Sequence, residues 1–234
     1  MSEVSPYYSV VRADVFSPTT PLEQYFARHN RELPRARVLK ALEDHFKSQL
    51  RALAGLVPAD KKLILREWSH GDFFVSSRFS SSVLPLLDFC EVTGVVLLRN
   101  PVDCFLSGKT YDAWSMIGSD VREFCRRYHK FCCVFLNNPA LVNVKYEEFA
   151  ADPDRTLERL CEKLGLAFNP DYQRELGRHR LSGSSGRFST DRIAPRPRRF
   201  LSEAEKRDFL SSGDYLEACA LAGYPADLAT AQTV

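Results

Sequence analysis

Arg99 ends the apolar run Val92 to Leu98, and Ser107 stands eight residues further on, about two turns into a helix that Pro101 is suited to start. A guanidinium fork and a hydroxyl beside helix N-terminal amides are the donors that phosphate sites reuse. The plainer alternative pairs Arg99 with a neighbouring carboxylate and leaves Ser107 on a helix surface. A second candidate lies near the C-terminus. Arg178 to Arg199 contains seven arginines and one acid, Asp191, a local net of 7 − 1 = +6 with histidine neutral. Of the 32 basic residues only nine are lysine, which leaves 23 arginines, the side chain whose rigid five-donor fork suits phosphate, sulfate and carboxylate.

Alternating elements must position these groups. Leu39, Leu42, Phe46, Leu50 and Leu53 mark one face of a long helix from Pro34 to Leu56. Lys61 to Glu67 reads as a short strand, Ser81 to Phe89 as a helical turn or two, and Val92 to Leu98 as a strand buried on both faces of a parallel sheet. Asn100 caps a helix from Val102 to about Trp114, and a second helix runs from about Ser119 to Leu136. Leu141 to Tyr146 is a third strand. Asp152 and Pro153 open a helix that Gly165 ends with a left-handed cap. Strands separated by helices, without hairpin signals, predict a helix-rich α/β fold: three layers, with a mostly parallel central sheet flanked by helices. Ligands of such sheets bind beyond the carboxyl ends of the strands, here Arg66 to His70, Arg99 to Pro101 and Lys145 to Glu147.

The stretch Arg99-Asn-Pro-Val-Asp-Cys-Phe-Leu-Ser107 resembles the Arg-Asp/Asn-Pro-x-Asp-x-x-x-Ser element of the sulfotransferases. Val144 to Pro153 resembles that family's Tyr-Glu-acid segment, and the helix Leu157 to Gly165 agrees in order and distance. The resemblance covers about residues 61–199 and implies a P-loop-like sulfotransferase fold, one domain over 1–234. It implies as cosubstrate 3′-phosphoadenosine 5′-phosphosulfate (PAPS), whose 3′-phosphate Arg99 and Ser107 hold, with Tyr146 near the adenine. Gly183-Ser-Ser-Gly186-Arg187, followed by Arg196, Arg198 and Arg199, resembles the family's C-terminal loop over the nucleotide; an ordinary Ser/Gly/Arg surface segment is the other reading, and sparse aromatics argue against nucleic acid. By the same resemblance His70, in Trp68-Ser-His70, takes the proton from an acceptor hydroxyl, as a neutral imidazole is able to do. Glu67 and Asp72 compete for that role, and a histidine merely satisfied at a strand end is the structural alternative.

One family element has no convincing copy. Phe16-Ser-Pro-Thr-Thr-Pro-Leu-Glu-Gln24 echoes the loop that wraps the 5′-phosphosulfate, but Phe16 stands where a Lys or Arg is expected and Pro18 replaces a Gly. Proline removes an N–H donor and fixes φ, which impairs phosphate cradling. Either the chain begins downstream of the loop, the favoured expectation, or residues 17–20 are a degenerate version of it. Ser107-Gly-Lys-Thr110 resembles the tail of a nucleotide-binding P-loop, but the first glycine of that motif is replaced by Asp103 and the stretch lies within a predicted helix.

Composition narrows the classes. Apolar residues at 44% and charged residues at 26% suit a globular chain able to bury a core, and a net charge of +2 carries no field that marks a nucleic-acid or membrane-surface protein. Seven cysteines, mostly inside apolar runs, read as reduced thiols, with no pairing at zinc spacing and no metal expected. A start lacking signal-peptide character and the absence of an 18-residue apolar run point to a cytoplasmic protein. The acceptor and the oligomeric state are not legible.

Overall fold

The computed structural model describes residues 3–4, 20–29, 33–67, 69, 71–75, 78–110, 120–176, 193 and 200–228. Backbone contacts divide the chain into two compact units, one holding the N-terminal elements and residues 81–92, the other holding residues 73–80 and nearly all of the chain from Thr93 onward.

In the first unit a two-residue strand, β1 (Glu3–Val4), pairs in parallel with β2 (Arg66–Glu67), Glu3 opposite Arg66. Between them run α1 (Thr20–His29) and α2 (Arg35–Gly55). Helix α2 matches the expected span because its apolar stripe is continuous: Leu42, Phe46 and Leu50 are buried. Phe46 and Leu50 close on Val83, with Leu65, Leu86, Leu87 and Phe89 packed around them. The segment after α2 makes a single tight turn, Leu84–Leu86. The strand expected over Lys61 to Glu67 shrinks to its last two residues. Lys61 to Ile64 lie exposed, and hydrogen bonding to β1 begins only at Arg66.

The second unit is built on β3 (Gly94–Leu98) and β4 (Leu141–Lys145), parallel and in register from Gly94 opposite Leu141 to Leu98 opposite Lys145. The expectation of burial on both faces does not hold. Val96 and Leu98 are buried, whereas Val95 is 42% and Leu97 61% exposed, so β3 alternates as a one-sided strand does. Gly94 lets the strands meet closely: a Cβ there would lie 2.2 Å from a terminal methyl of Leu141, so that side chain would have to shift to admit one.

Helix α3 (Pro101–Thr110) follows β3, and α4 (Val121–Phe135) follows with Asp120 as its N-cap, the carboxylate accepting from the amides of Arg122 at 2.8 Å and Glu123 at 3.3 Å. Beyond β4 come α5 (Tyr146–Ala151), α6 (Pro153–Leu164) and α7 (Tyr172–Leu176). Asp152 caps α6 and Gly165, at φ 62°, ends it in the left-handed conformation, as expected from sequence. The C-terminal pair is α8 (Glu203–Leu210), opened by a reciprocal capping box between Ser202 and Glu205, and α9 (Gly213–Ala222), capped by Ser212 and ended by Gly223 at φ 64°.

Aromatic rings make the core of this unit. Phe124 of α4 meets Phe74, Phe105 and Tyr128, while Phe209 bridges Phe105 and Tyr215. Helix α9 lies along α4, joined at the rim by His129, which faces Asp214 at 2.9 Å and Glu217 at 3.2 Å. The cysteines here pack as small apolar groups: burial pushes the thiols of Cys125 and Cys132 up to about 12. The architecture is thus a helix-rich α/β fold with parallel strand pairing.

Candidate active site

The carboxyl ends of β3 and β4 carry the site. At the end of β3 the chain turns directly into α3, and the turn is held from three sides. The Asn100 side chain accepts from the Val102 amide at 3.0 Å while its carbonyl takes the first helical bond, from the Cys104 amide at 2.9 Å, so Asn100 is the N-cap and Pro101 occupies the first helical position. The Asn100 amide donates to Glu147 Oε1 at 2.8 Å. The buried Tyr128 hydroxyl donates to the Arg99 carbonyl at 2.6 Å. Burial raises the Tyr128 phenol well above its ordinary range, so it acts as a donor at any physiological pH.

With the backbone fixed, the Arg99 side chain lies over the Tyr146 ring, its guanidinium carbon 4.9 Å from the ring centre. Its Nε is buried and has no hydrogen-bond partner, and Arg99 forms no ion pair among the described residues. Among the described residues, the pairing of Arg99 with a carboxylate that sequence left open is not found. The nearby carboxylate, Glu147, is spent elsewhere: Oε1 on the Asn100 amide and Oε2 on the Tyr224 hydroxyl at 2.7 Å. A buried cationic donor without a partner is costly unless an anion completes it.

Ser107 lies on α3, half-buried, one turn after Asp103 on the same helix face. Lys109, the residue of the P-loop look-alike, is exposed on that helix and pairs with Glu205 of α8 at 2.6 Å, a surface strut and no phosphate ligand. Cys104, close to Arg99, Asp103 and Glu147, has its thiol pushed up to about 11 by burial, which removes it as a nucleophile.

Of the residues singled out from sequence, Arg99 and Tyr146 are in contact and Ser107 lies on the following helix. His70, Trp68, Gly183, Gly186, Arg187, Arg196, Arg198 and Arg199 lie outside the described residues, as do residues 16–19 of the loop-like segment. Of the two competing bases, Asp72 is buried and accepts from the Ser82 amide at 3.2 Å, and Glu67 lies beside it in the first unit. Its carboxylate accepts from Ser81 Oγ at 2.8 Å and from the Ser82 and Val83 amides at 2.8 and 3.0 Å, and burial raises its pKa, opposed by those bonds. That pattern serves as a cap for the turn over residues 81–84. Sequence reasoning assigned no role to Glu147 or Tyr224. Glu147 was inside a quoted motif, but its partner is 77 residues away and nothing local announces it.

Set beside known proteins, residues 91–170 match the sulfotransferase family, 80 of the chain's 234 residues, and this stretch contains β3, the Arg99 turn, α3, β4 and Tyr146. The chain is similar in structure to a solved protein titled "Sulfotransferase Domain from the Curacin Biosynthetic Pathway", at 11% identity and a TM-score of 0.51, covering 87% of this chain and 78% of that one. No curated protein sequence matches. The fold is that of a sulfotransferase domain. The family match itself rests on residues 91–170, the segment that carries β3, the Arg99 turn and β4.

Proposed function

We propose that this protein transfers a sulfuryl group from PAPS to an acceptor hydroxyl. The observation that carries the reading is Arg99, fixed at the carboxyl end of β3, laid on Tyr146, with a buried Nε that has no partner. Its guanidinium, just before α3, and the Ser107 hydroxyl, on that helix, are donors of the kind a phosphate takes, and the helix's N-terminal amides add to the attraction. When bound, PAPS supplies the sulfuryl group on a phosphate oxygen that departs as the 5′-phosphate. The chain's part is to grip the 3′-phosphate through Arg99 and Ser107, to seat the adenine near Tyr146, and to close Gly186 and Arg187 over the nucleotide. His70 takes the proton from the acceptor oxygen, a role resting on its position after β2 in sequence. Orienting the reactants supplies most of the acceleration that such a site offers. From the sequence we place the enzyme in the cytoplasm, working without a metal. No helix among the described residues is long and apolar enough to cross a membrane.

Calorimetric titration with 3′-phosphoadenosine 5′-phosphate tests this reading. Saturable binding is expected, and no binding at millimolar ligand to a folded protein overturns it. A second reading, a nucleotide-binding protein without turnover, is favoured by Phe16 and Pro18, which occupy positions where a cation would neutralise the transferring group and a glycine would let backbone amides cradle it. Incubation with PAPS and a panel of sugar, phenol and amine acceptors decides between them, because sulfate transfer above background excludes the second.

A further inference from the structure

The contacts of Tyr224 reach the Arg99 turn through one intermediary. Tyr224 follows Gly223, whose left-handed conformation ends α9 and turns the chain toward the strand ends. Lys145, the last residue of β4, donates to the Gly223 carbonyl at 2.7 Å and lies over the Tyr224 ring at 4.8 Å, which fixes the ring's direction. The Tyr224 hydroxyl then donates to Glu147 Oε2, and Oε1 of that carboxylate receives the Asn100 amide. Asn100 is bonded directly to Arg99. The chain of contacts is therefore phenol, carboxylate, amide, guanidinium-bearing residue. Burial and the adjoining carboxylate raise the Tyr224 phenol far above its ordinary range, so the proton that makes the first bond is always present.

The carboxylate needs that proton for a second reason. A Glu147 side chain free to rotate would be a second anion near Arg99, competing for the guanidinium. Held by two donors, its oxygens point at Asn100 and Tyr224, and Arg99 keeps its donors for a ligand.

We infer that Tyr224 is a positioning residue of the anion site, holding Glu147 on the Asn100 amide and away from Arg99 so that the guanidinium stays available to a 3′-phosphate. This rests on the proposed reading of Arg99 as a phosphate ligand. The ligand class is a nucleoside 3′,5′-bisphosphate, and the property Tyr224 tunes is the preference for the 3′-phosphate.

The test compares the full-length wild type with Tyr224→Phe and with Ser212→Ala, which removes a cap of α9 without touching Tyr224 or Glu147. Affinities for 3′-phosphoadenosine 5′-phosphate and for AMP are measured, with hydrogen exchange of the Asn100 amide followed by NMR. Tyr224→Phe is expected to lower the ratio of the two affinities about fivefold, the scale of one hydrogen bond, and to speed exchange at Asn100. Ser212→Ala is expected to lower the melting temperature while leaving both readouts as in the wild type. A Tyr224→Phe ratio equal to that of a selective wild type overturns the inference alone. Equal losses in both variants reduce Tyr224 to a stabilising residue and overturn it too. A wild type that binds AMP as tightly as the bisphosphate removes the reading of Arg99 first, and the inference with it.

Discussion

The guanidinium carbon of Arg99 lies over the ring of Tyr146, 4.9 Å from its centre, and these two residues directly follow the ends of neighbouring parallel strands. Register makes the contact: Leu98 opposes Lys145, so the residue after each falls at the same level beyond the sheet edge. A ring beneath the cation orients it without consuming its N–H groups, which is what a binding arginine requires.

Replacing Arg99 with alanine is expected to weaken binding of 3′-phosphoadenosine 5′-phosphate by about 2 to 3 kcal/mol, and Ser107→Ala by about 1 kcal/mol, because the first contact is charged and the second neutral. Calorimetry on both variants checks it. Equal losses would mean that Arg99 does not meet the phosphate.

Tyr128→Phe keeps the aromatic packing against Phe124 and removes the donor to the Arg99 carbonyl. The expected cost is about 1 to 2 kcal/mol of stability, for an acceptor left short of its partner in a buried place. Denaturant unfolding measures it. A midpoint unchanged from wild type would show that solvent or a shift of the turn replaces the bond.

Glu123 sets the acid limit. Its carboxylate is held by Arg126, at 2.7 Å to both oxygens, and by Arg127 at 2.6 Å, which lowers its pKa from 4.5 to about 2 against the opposing effect of burial. A folded-state pKa below the unfolded one means that the unfolded chain binds the proton first. The stabilisation is complete above about 4.5 and is lost as pH falls toward 2. The same two arginines lie over Phe79 at 5.2 and 5.9 Å. Thermal melts between pH 2 and 6 are expected to show a gentler acid slope for Glu123→Gln than for wild type, and identical slopes would exclude this pair as the cause.

What sequence disclosed and what it hid follow from how local each cause is. Asn100 with Pro101, and Asp152 with Gly165, announce helix ends because caps act within four residues, and those ends fall where expected. The capping box at Ser202 and Glu205 is an equally local signal for the start of α8. Burial of β3 was not local. Val92 to Leu98 is apolar throughout, and only what packs on each face decides that Val96 goes inward while Leu97 stays out. Arg99, Ser107 and Tyr146 stood out through the motifs that contain them, and the fold lays Arg99 on Tyr146 with Ser107 on the next helix. Tyr224 did not stand out, since a tyrosine after a helix-ending glycine gives no hint of the carboxylate it meets across the fold.

The last expectation concerns ligand choice. If Arg99 with Ser107 and Arg187 surrounds a 3′-phosphate, 3′-phosphoadenosine 5′-phosphate should bind at least about tenfold more tightly than AMP, a difference of only about 1.4 kcal/mol and within reach of one charge-assisted contact. AMP leaves the buried Arg99 Nε with the same missing partner that the free protein has, and so recovers none of that cost. A basic surface without shape would rank ligands by charge alone, so ADP and pyrophosphate would compete as well as the bisphosphate, and raising salt would erase all three alike. Titrating the four ligands at about 50 and 300 mM salt distinguishes the cases, since the Debye length falls from roughly 14 to 6 Å across that range and screens a solvated patch far more than a partly buried pair. The selectivity for the bisphosphate is expected to survive at the higher salt. Equal affinity for ADP at either salt would overturn the assignment of Arg99 and Arg187 to a 3′-phosphate pocket.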